Sequence, residues 1–179
     1  MNYLFGLVLS MVLIAHTASA MEVEWTYKDW KVTRYDNDKM VSYFSNGETM
    51  KRHQFGFYKY KGDCEKDTLL LGWSSSNSEV TVLEGTELSV LFRADRTSFE
   101  LLIPLVGVQQ LSSDTNLMTL ANIEAGDQFI ELLKSSHNID VEILYQYDFT
   151  SDLGIDIDSF SLNGFIAARL KAQEYCQQL

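Results

Sequence analysis

The sequence has few of the residues that enzymes use most often for acid–base chemistry, since it contains only three histidines among 179 residues. His16 falls in a stretch that we interpret below as a cleaved leader, which leaves His53 and His137. A serine hydrolase would pair one of them with its nucleophile, but the chain contains no Gly-x-Ser-x-Gly element. We expect both histidines to be solvated, near the start of a strand and in a turn. The sequence therefore argues against histidine-dependent catalysis.

Basic residues are also scarce, because 14 lysines and arginines stand against 25 aspartates and glutamates, a net charge of −11. Nucleic acids and anionic lipid surfaces are bound mainly through lysine and arginine, so the composition argues against both. The chain also lacks a glycine-rich phosphate loop, zinc-ligand spacing and a dinucleotide fingerprint. We therefore predict no cofactor and no nucleic-acid partner.

Long hydrophobic runs are absent except at the start, where residues 4–15 form an apolar stretch. Ala18-Ser19-Ala20 follows it and matches the small-x-small pattern of a leader cleavage site. The run is shorter than the ~20 apolar residues that span a bilayer, although no lysine or arginine precedes it. The sequence thus predicts a signal peptide over residues 1–20 and a single mature domain over residues 21–179 that does not insert into the membrane. The expected location is the periplasm or the exterior of the cell.

Two cysteines, Cys64 and Cys176, are the only ones in the chain. Cysteines of an exported protein usually form disulfides, so we predict that these two pair. A reactive thiol is the alternative, but there is no Cys-x-x-Cys element and no basic cluster around Cys176.

Alternation of apolar and polar residues predicts a mainly β protein, either a β-sandwich or a β-rich α+β fold with antiparallel strands. The predicted strands cover residues 23–35, 40–45, 54–61, 68–74, 80–83, 87–93, 98–103, 139–147 and 155–160. Short turn signals such as Asp36-Asn37-Asp38 separate the strands.

Two helices are predicted late in the chain. Residues 127–135 carry an acid in the first turn and a lysine near the end, the charge order that a helix dipole favours. A second helix near residues 164–177 follows Asn163, a plausible N-cap. Its apolar positions form a narrow stripe suited to packing on a sheet, namely Phe165, Ala168, Ala172 and Cys176.

Aromatic residues concentrate in the first third of the mature chain, on strands whose two faces differ. If one face builds the core, the other leaves an exposed strip for a glycan, a peptide or a partner protein. The candidate residues for this aromatic binding face are Trp25, Tyr27, Trp30, Tyr58 and Tyr60. Core filling is the alternative role for such residues.

Carboxylates cluster near the end of the chain, at Asp148, Asp152, Asp156 and Asp158. Their spacing does not fit the twelve-residue calcium loop, and we predict no metal site. Asp156 and Asp158 share one face of a strand, which we expect to be the solvent face. Together with Asp95 they are the candidates if the protein is a hydrolase that uses carboxylates.

The closing third of the chain combines several features of a known family. It contains the helical Phe-Ile-Glu-Leu-Leu at residues 129–133, an alternating strand, Phe-Ser-Leu-Asn-Gly-Phe-Ile-Ala-Ala at residues 160–168 and a late Cys176. This arrangement resembles the end of the invasion-associated locus B family of small exported bacterial proteins. The resemblance implies a periplasmic β-rich fold with a disulfide-anchored terminal helix, and it carries over no functional residue.

These observations favour a non-catalytic binding or accessory protein of the bacterial envelope. Its expected partner is a protein or a glycan of the envelope. The alternative is a carboxylate-dependent envelope hydrolase.

Overall fold

The structure, a computed structural model, describes residues 22–144 and 156–179. The predicted leader, residues 145–147 of a predicted strand, Asp148 and Asp152 lie outside these ranges. The strands are β1 (Glu22–Tyr27), β2 (Trp30–Tyr35), β3 (Met40–Asn46), β4 (Gln54–Tyr60), β5 (Thr68–Ser75), β6 (Glu87–Ala94), β7 (Thr97–Ser112), β8 (Thr115–Glu124), β9 (Asn138–Leu144) and β10 (Ile157–Ser161). The α-helices are α1 (Asp127–Ser135) and α2 (Phe165–Gln177), and a 3-10 helix covers Ser78–Leu83.

The ten strands form one antiparallel sheet in the order β1-β2-β3-β4-β5-β8-β7-β6-β9-β10. The first five strands are neighbours in sequence and in space, as the short turns predict. The predicted mainly β class, the antiparallel strands and both late helices are therefore confirmed.

The sheet divides into two halves because β7 changes partners along its length. Pro104 is paired with Glu87 of β6, and the next residue, Leu105, is paired with Leu120 of β8. Proline has no backbone N–H to donate to a ladder, so it suits this position. Pro104 thus lies inside β7, at the point where the ladder with β6 ends.

Aromatic side chains fill the space between the two halves of the sheet. Phe55 on β4 has its ring 6.3 Å from Phe92 on β6 and 5.7 Å from Phe160 on β10. These strands are far apart in the sheet order, so the sheet curls until its two halves face each other. The result is a core like that of a β-sandwich.

Helix α2 lies on β2, β3 and β4 through the predicted stripe of small residues, which is buried. The predicted disulfide between Cys64 and Cys176 is present and joins residues 112 positions apart. The predicted N-cap is wrong, because Gly164 occupies that position with φ 108° and no side chain of the described residues caps the helix. Asn163 instead accepts a hydrogen bond from Lys28 Nζ at 2.9 Å.

Two strand predictions are wrong in their local detail. Residues 23–35 form a hairpin rather than one strand, with Lys28 at φ 55° in the turn. Apolar residues keep nearly the same spacing through this short turn, so the pattern does not reveal it. Residues 80–83 belong to the 3-10 helix, whose first turn is capped by Asn77 Oδ1 on the backbone N–H of Glu79.

Candidate functional site

The five aromatic residues predicted to form one binding face do not share a surface. Tyr27 is 44% exposed and Tyr60 is 50% exposed, whereas Trp30 and Tyr58 are buried. Trp25 is half-buried, with its ring stacked 5.8 Å from that of Tyr27. The prediction is corrected for Trp30 and Tyr58, which are not available to a ligand.

Each buried aromatic has a structural role that explains its position. Trp30 lies beneath α2, 5.2 Å from the ring of Phe165, and its Nε1 donates to the carbonyl of Ser161 at 2.9 Å. The Tyr58 hydroxyl donates to Asn122 Oδ1 at 2.7 Å. Buried tryptophan and tyrosine usually satisfy their polar atoms in this way.

A buried histidine–carboxylate pair joins distant parts of the chain. His53 Nδ1 lies 2.9 Å from Asp158 Oδ2, and both side chains are fully buried. Two expectations are therefore wrong: His53 is not solvated, and Asp158 does not lie on the solvent face. The buried and exposed faces of β10 are therefore the reverse of the predicted ones: Asp158 is buried, and Ile157 is 46% exposed.

The loop between β3 and β4 surrounds the Asp158 carboxylate. Asp158 accepts hydrogen bonds from the backbone N–H groups of Thr49, Met50 and Ser159 at 2.9, 3.0 and 2.8 Å. Burial acts to raise the pKa of Asp158, but these N–H groups outweigh it and hold that pKa below its ordinary value. A Cβ on Gly47 would lie 2.2 Å from Asp158 Oδ2, so only glycine fits there.

His53 is held by its other neighbours as well. Its Nε2 faces the backbone carbonyl of Ser74 at 3.2 Å, and its ring stacks 3.9 Å from that of Trp73. Burial lowers the pKa of His53, although the Ser74 carbonyl and the Asp158 carboxylate act in the opposite direction.

The composition Ser74, His53 and Asp158 matches a hydrolase triad, but the geometry does not. A general base needs a lone pair directed at the proton it removes, and both nitrogens of His53 face acceptor oxygens. The Ser74 hydroxyl is buried and makes no hydrogen bond within the described part of the chain. The arrangement fastens β10 to the loop between β3 and β4, where the backbone N–H of Glu48 also donates to the carbonyl of Ser159 at 2.9 Å.

The other candidate carboxylates lie apart from this pair. Asp95 sits in the turn between β6 and β7 and accepts a hydrogen bond from Ser136 Oγ at 2.8 Å. Asp156 precedes β10, and its backbone carbonyl accepts from Ile143 N–H at 2.9 Å. Across residues 22–144 and 156–179, no group of three or more His, Cys, Asp or Glu side chains is suited to hold a metal ion.

A second buried polar cluster was not predicted from the sequence. Asp67 forms ion pairs with the buried Lys59 and with Arg169 of α2, the latter at 2.7 Å, and accepts from the Tyr43 hydroxyl at 2.5 Å. Burial lowers the pKa of Lys59, with Asp67 opposing the change, and raises the pKa of Tyr43, with Asp67 adding to it. Its members satisfy one another, so the cluster fastens α2 to the sheet.

The α1 cleft is an open apolar cavity of about 660 Å³ between α1, β7 and the end of β8. Its walls are mainly large apolar side chains, namely Leu69, Phe99, Leu101, Ile123, Phe129 and Leu132. The rings of Phe99 and Phe129 meet edge to face at 4.9 Å and form part of the floor. The volume falls in the range of ~300–1,000 Å³ typical of small-molecule sites.

Polar groups surround the mouth of the α1 cleft. Its charged lining residues are Glu124 and Glu131, each paired with a lysine: Lys66 at 3.1 Å and Lys134 at 2.6 Å. An apolar interior with a few polar groups at the rim is typical of a binding site.

The α2 groove is a second concave surface, of about 630 Å³, between the end of α1 and the start of α2. Its apolar residues are Tyr27, Leu133, Leu162, Ile166, Ala167 and Leu170. Its rim includes Lys28, Lys134 and His137. Of the five predicted aromatic residues, Tyr27 therefore lines a concave surface.

Comparison with known proteins adds evidence about the fold. No protein-family model matches the sequence, and no curated protein matches it. The fold resembles that of invasion associated protein B from Bartonella henselae. That crystal structure matches with a TM-score of 0.54 at 10% sequence identity, over 88% of this chain and 99% of that chain.

The structural match extends well beyond the closing third that carries the sequence resemblance. At this sequence identity the likeness concerns the fold alone. Within the described residues, neither helix has the length and apolar composition that crossing a bilayer requires.

Proposed function

We propose that this chain is an exported, non-catalytic binding protein of the bacterial envelope that holds an apolar ligand in the α1 cleft. The observation that carries the proposal is the cleft itself, an open cavity whose walls are leucine, isoleucine and phenylalanine. Transfer of apolar groups from water into such a surface contributes about 25 cal/mol per Å². A ligand with an aliphatic chain or an aromatic ring suits these walls.

Export is supported by the disulfide and by the leader-like residues 1–20. Disulfides persist in oxidising compartments and are rare in the cytosol, and Cys64 is bonded to Cys176.

The non-catalytic role is supported by the placement of the polar residues. Asp158 is buried and bonded to His53, and neither the α1 cleft nor the α2 groove is lined by Asp95, Asp156 or Asp158. A glycosidase needs two carboxylates that flank the scissile bond, and these carboxylates do not converge in either cavity. The hydrolase alternative loses its main support.

Nile red, a neutral apolar dye, provides a direct test. We expect the fluorescence of the dye to rise to a plateau as mature protein is added. Leu101→Trp places a larger side chain in the cleft and should weaken dye binding by about tenfold or more. Leu102→Trp is the matched control, because Leu102 is the next residue of β7 and is exposed on the opposite face. Equal binding by both variants would overturn the proposal.

A second blocking variant protects the test against misfolding. Ser135→Trp places the ring at the exposed rim of the cleft, where the fold has room for it. Circular dichroism should show native structure in all three variants. If Ser135→Trp is folded and binds the dye like the wild type, the α1 cleft is not the site.

A further inference from the structure

A tyrosine face lies on the outer side of the sheet, away from the core. Phe57 on β4 is fully buried in the core, so its neighbours Tyr58 and Tyr60 point to the opposite side. On that side, Met40 of β3 is directly opposite Tyr60, and Tyr35 of β2 is directly opposite Met40. Residues directly opposite each other on neighbouring strands share a face. The outer tyrosine face therefore consists of Tyr35, Met40, Tyr58 and Tyr60.

Tyr60 presents an exposed ring that its neighbour holds in place. Its side chain is 50% exposed, and its ring meets that of Tyr58 edge to face at 5.2 Å. Tyr58 is itself fixed, because it is buried and its hydroxyl donates to Asn122 Oδ1 at 2.7 Å. Tyr35 is half-buried two strands away, about 10 Å at the usual strand spacing. The face thus offers apolar rings at more than one position along its width.

A β-bulge brings an amide group to the outer tyrosine face. The register between β5 and β8 shifts between Leu69 and Leu70, which leaves Asn122 as an extra residue of β8. Its φ of 74° is a conformation that asparagine adopts more readily than most residues, and bulges often re-aim a side chain beside a functional site. Asn122 is exposed, and its amide nitrogen donates to none of the described residues. Two N–H donors are therefore available to a ligand.

The charges around this face favour a neutral ligand. None of its four residues is charged, and Asn122 is neutral as well. Just before β5, the charge of Lys66 is balanced by Glu124 at 3.1 Å and by Asp63 at 3.5 Å. The net charge of −11 repels anionic polymers from the whole molecule. The face therefore has no excess of positive charge that would attract an acidic ligand.

We propose that the outer tyrosine face and Asn122 bind a neutral oligosaccharide, with one sugar ring on Tyr60 and sugar hydroxyl groups on the Asn122 amide. A sugar has apolar C–H faces that suit an aromatic ring, and its hydroxyl oxygens accept hydrogen bonds from an amide. Because Tyr35 and Tyr60 are two strands apart, a chain of sugars can reach both rings and should bind more tightly than a single sugar. Neither Tyr60 nor Asn122 lines the α1 cleft, so this site is separate from the proposed apolar one.

An NMR titration of the isotope-labelled mature protein tests the proposal. The neutral probes are cellohexaose, maltohexaose and chitohexaose, and hexagalacturonate is the anionic control. We expect at least one neutral hexasaccharide to shift the side-chain amide signals of Asn122 and the backbone signal of Tyr60 to a plateau. The corresponding monosaccharide should bind about tenfold more weakly, and hexagalacturonate should not bind.

Two exposed tyrosines provide a matched pair of variants. Tyr60→Ala should weaken binding by about tenfold, whereas Tyr27→Ala should not change it. Tyr27 has a similar exposure, 44%, but lies on the edge strand β1. Asn122→Asp tolerates the positive φ and keeps an acceptor for Tyr58, but it has no N–H to donate. It should weaken binding by a similar factor.

Four results would overturn the proposal. The first three are no shift with any neutral hexasaccharide, equal effects of Tyr60→Ala and Tyr27→Ala, and binding of hexagalacturonate as tight as that of the neutral probes. The fourth is a set of shifts confined to residues such as Phe129 and Leu132, which would place the sugar in the α1 cleft. Nile red binding and its loss in Leu101→Trp do not depend on Tyr60 or Asn122, so the two proposals stand or fall separately.

Discussion

At the scale of single residues, the buried His53–Asp158 pair couples the stability of the protein to pH. Burial lowers the pKa of His53 in the folded protein, whereas the unfolded chain titrates near the ordinary value of ~6.5. The unfolded state therefore takes up the proton first, and the free energy of unfolding decreases below about pH 6.5. Asp158 acts in the same direction at lower pH. Its pKa in the folded protein lies below the ordinary value of 3.8, so its contribution to the free energy of unfolding is lost as the pH falls through its pKa in the folded state.

Urea denaturation of the mature protein checks this dependence. The free energy of unfolding should be lower at about pH 5 than at about pH 7.5. His53→Gln should be less stable at both pH values and should show a smaller difference between them. His137→Gln removes an exposed histidine and should behave like the wild type. A dependence that persists in His53→Gln and vanishes in His137→Gln would contradict the assignment.

The same residues show why the site chemistry was hard to predict. His53 and Asp158 are separated by 105 positions, and no local pattern around either residue indicates the other. Asp158 lies in an alternating strand whose isoleucines looked like the buried set, but Ile157 is exposed and Asp158 is buried. Three backbone N–H groups and a histidine make that burial favourable, and these partners are known only from the folded chain.

At the scale of elements, α2 is fastened twice to the loop between β4 and β5, by the disulfide to Cys64 and by the ion pair between Arg169 and Asp67. Closing a loop of 112 residues stabilises the fold by at most about 5 kcal/mol in the loop-entropy model. We expect the double variant Cys64→Ser, Cys176→Ser to lose about 3–5 kcal/mol of unfolding free energy in urea titrations.

Reductant supplies the control for this prediction. The wild type in excess dithiothreitol should match the double variant, and the double variant should not respond to dithiothreitol. A wild type whose stability is unchanged after complete reduction, verified by thiol titration, would contradict the expected role of the disulfide.

The elements themselves differ in how well the sequence predicts them. The stripe on α2 appears in the sequence because that helix buries one face. The charge order of α1 appears there because an acid in the first turn and a lysine in the last complement the helix dipole. The hairpin of β1 and β2 was missed because its turn at Lys28 contains neither glycine nor proline. The 3-10 helix was missed because Val80 to Leu83 is short and apolar, a composition that strands share.

At the scale of the whole molecule, the leader and the disulfide predict an exported product. When the full chain is expressed in a bacterial host, the periplasmic fraction should contain a protein that begins at Met21 and carries no free thiol. Intact mass measured with and without reductant tests both features, because reduction adds two hydrogens. A cytoplasmic product that retains residues 1–20, or an exported one with two free thiols, would refute the prediction.

The sequence by itself determined the class of the protein, its two late helices and the pairing of its cysteines. The class and the helices follow from local periodicity, which neighbouring residues reveal. The pairing follows because the sequence contains only two cysteines, so each has one possible partner. Only the tertiary structure decided which aromatic residues are exposed, where Asp158 points and where the two concave surfaces lie. The α1 cleft and the α2 groove are both lined by residues from strands and helices far apart in the chain. Their shape follows from the curling of the sheet and the docking of its helices, and no single stretch of sequence encodes either.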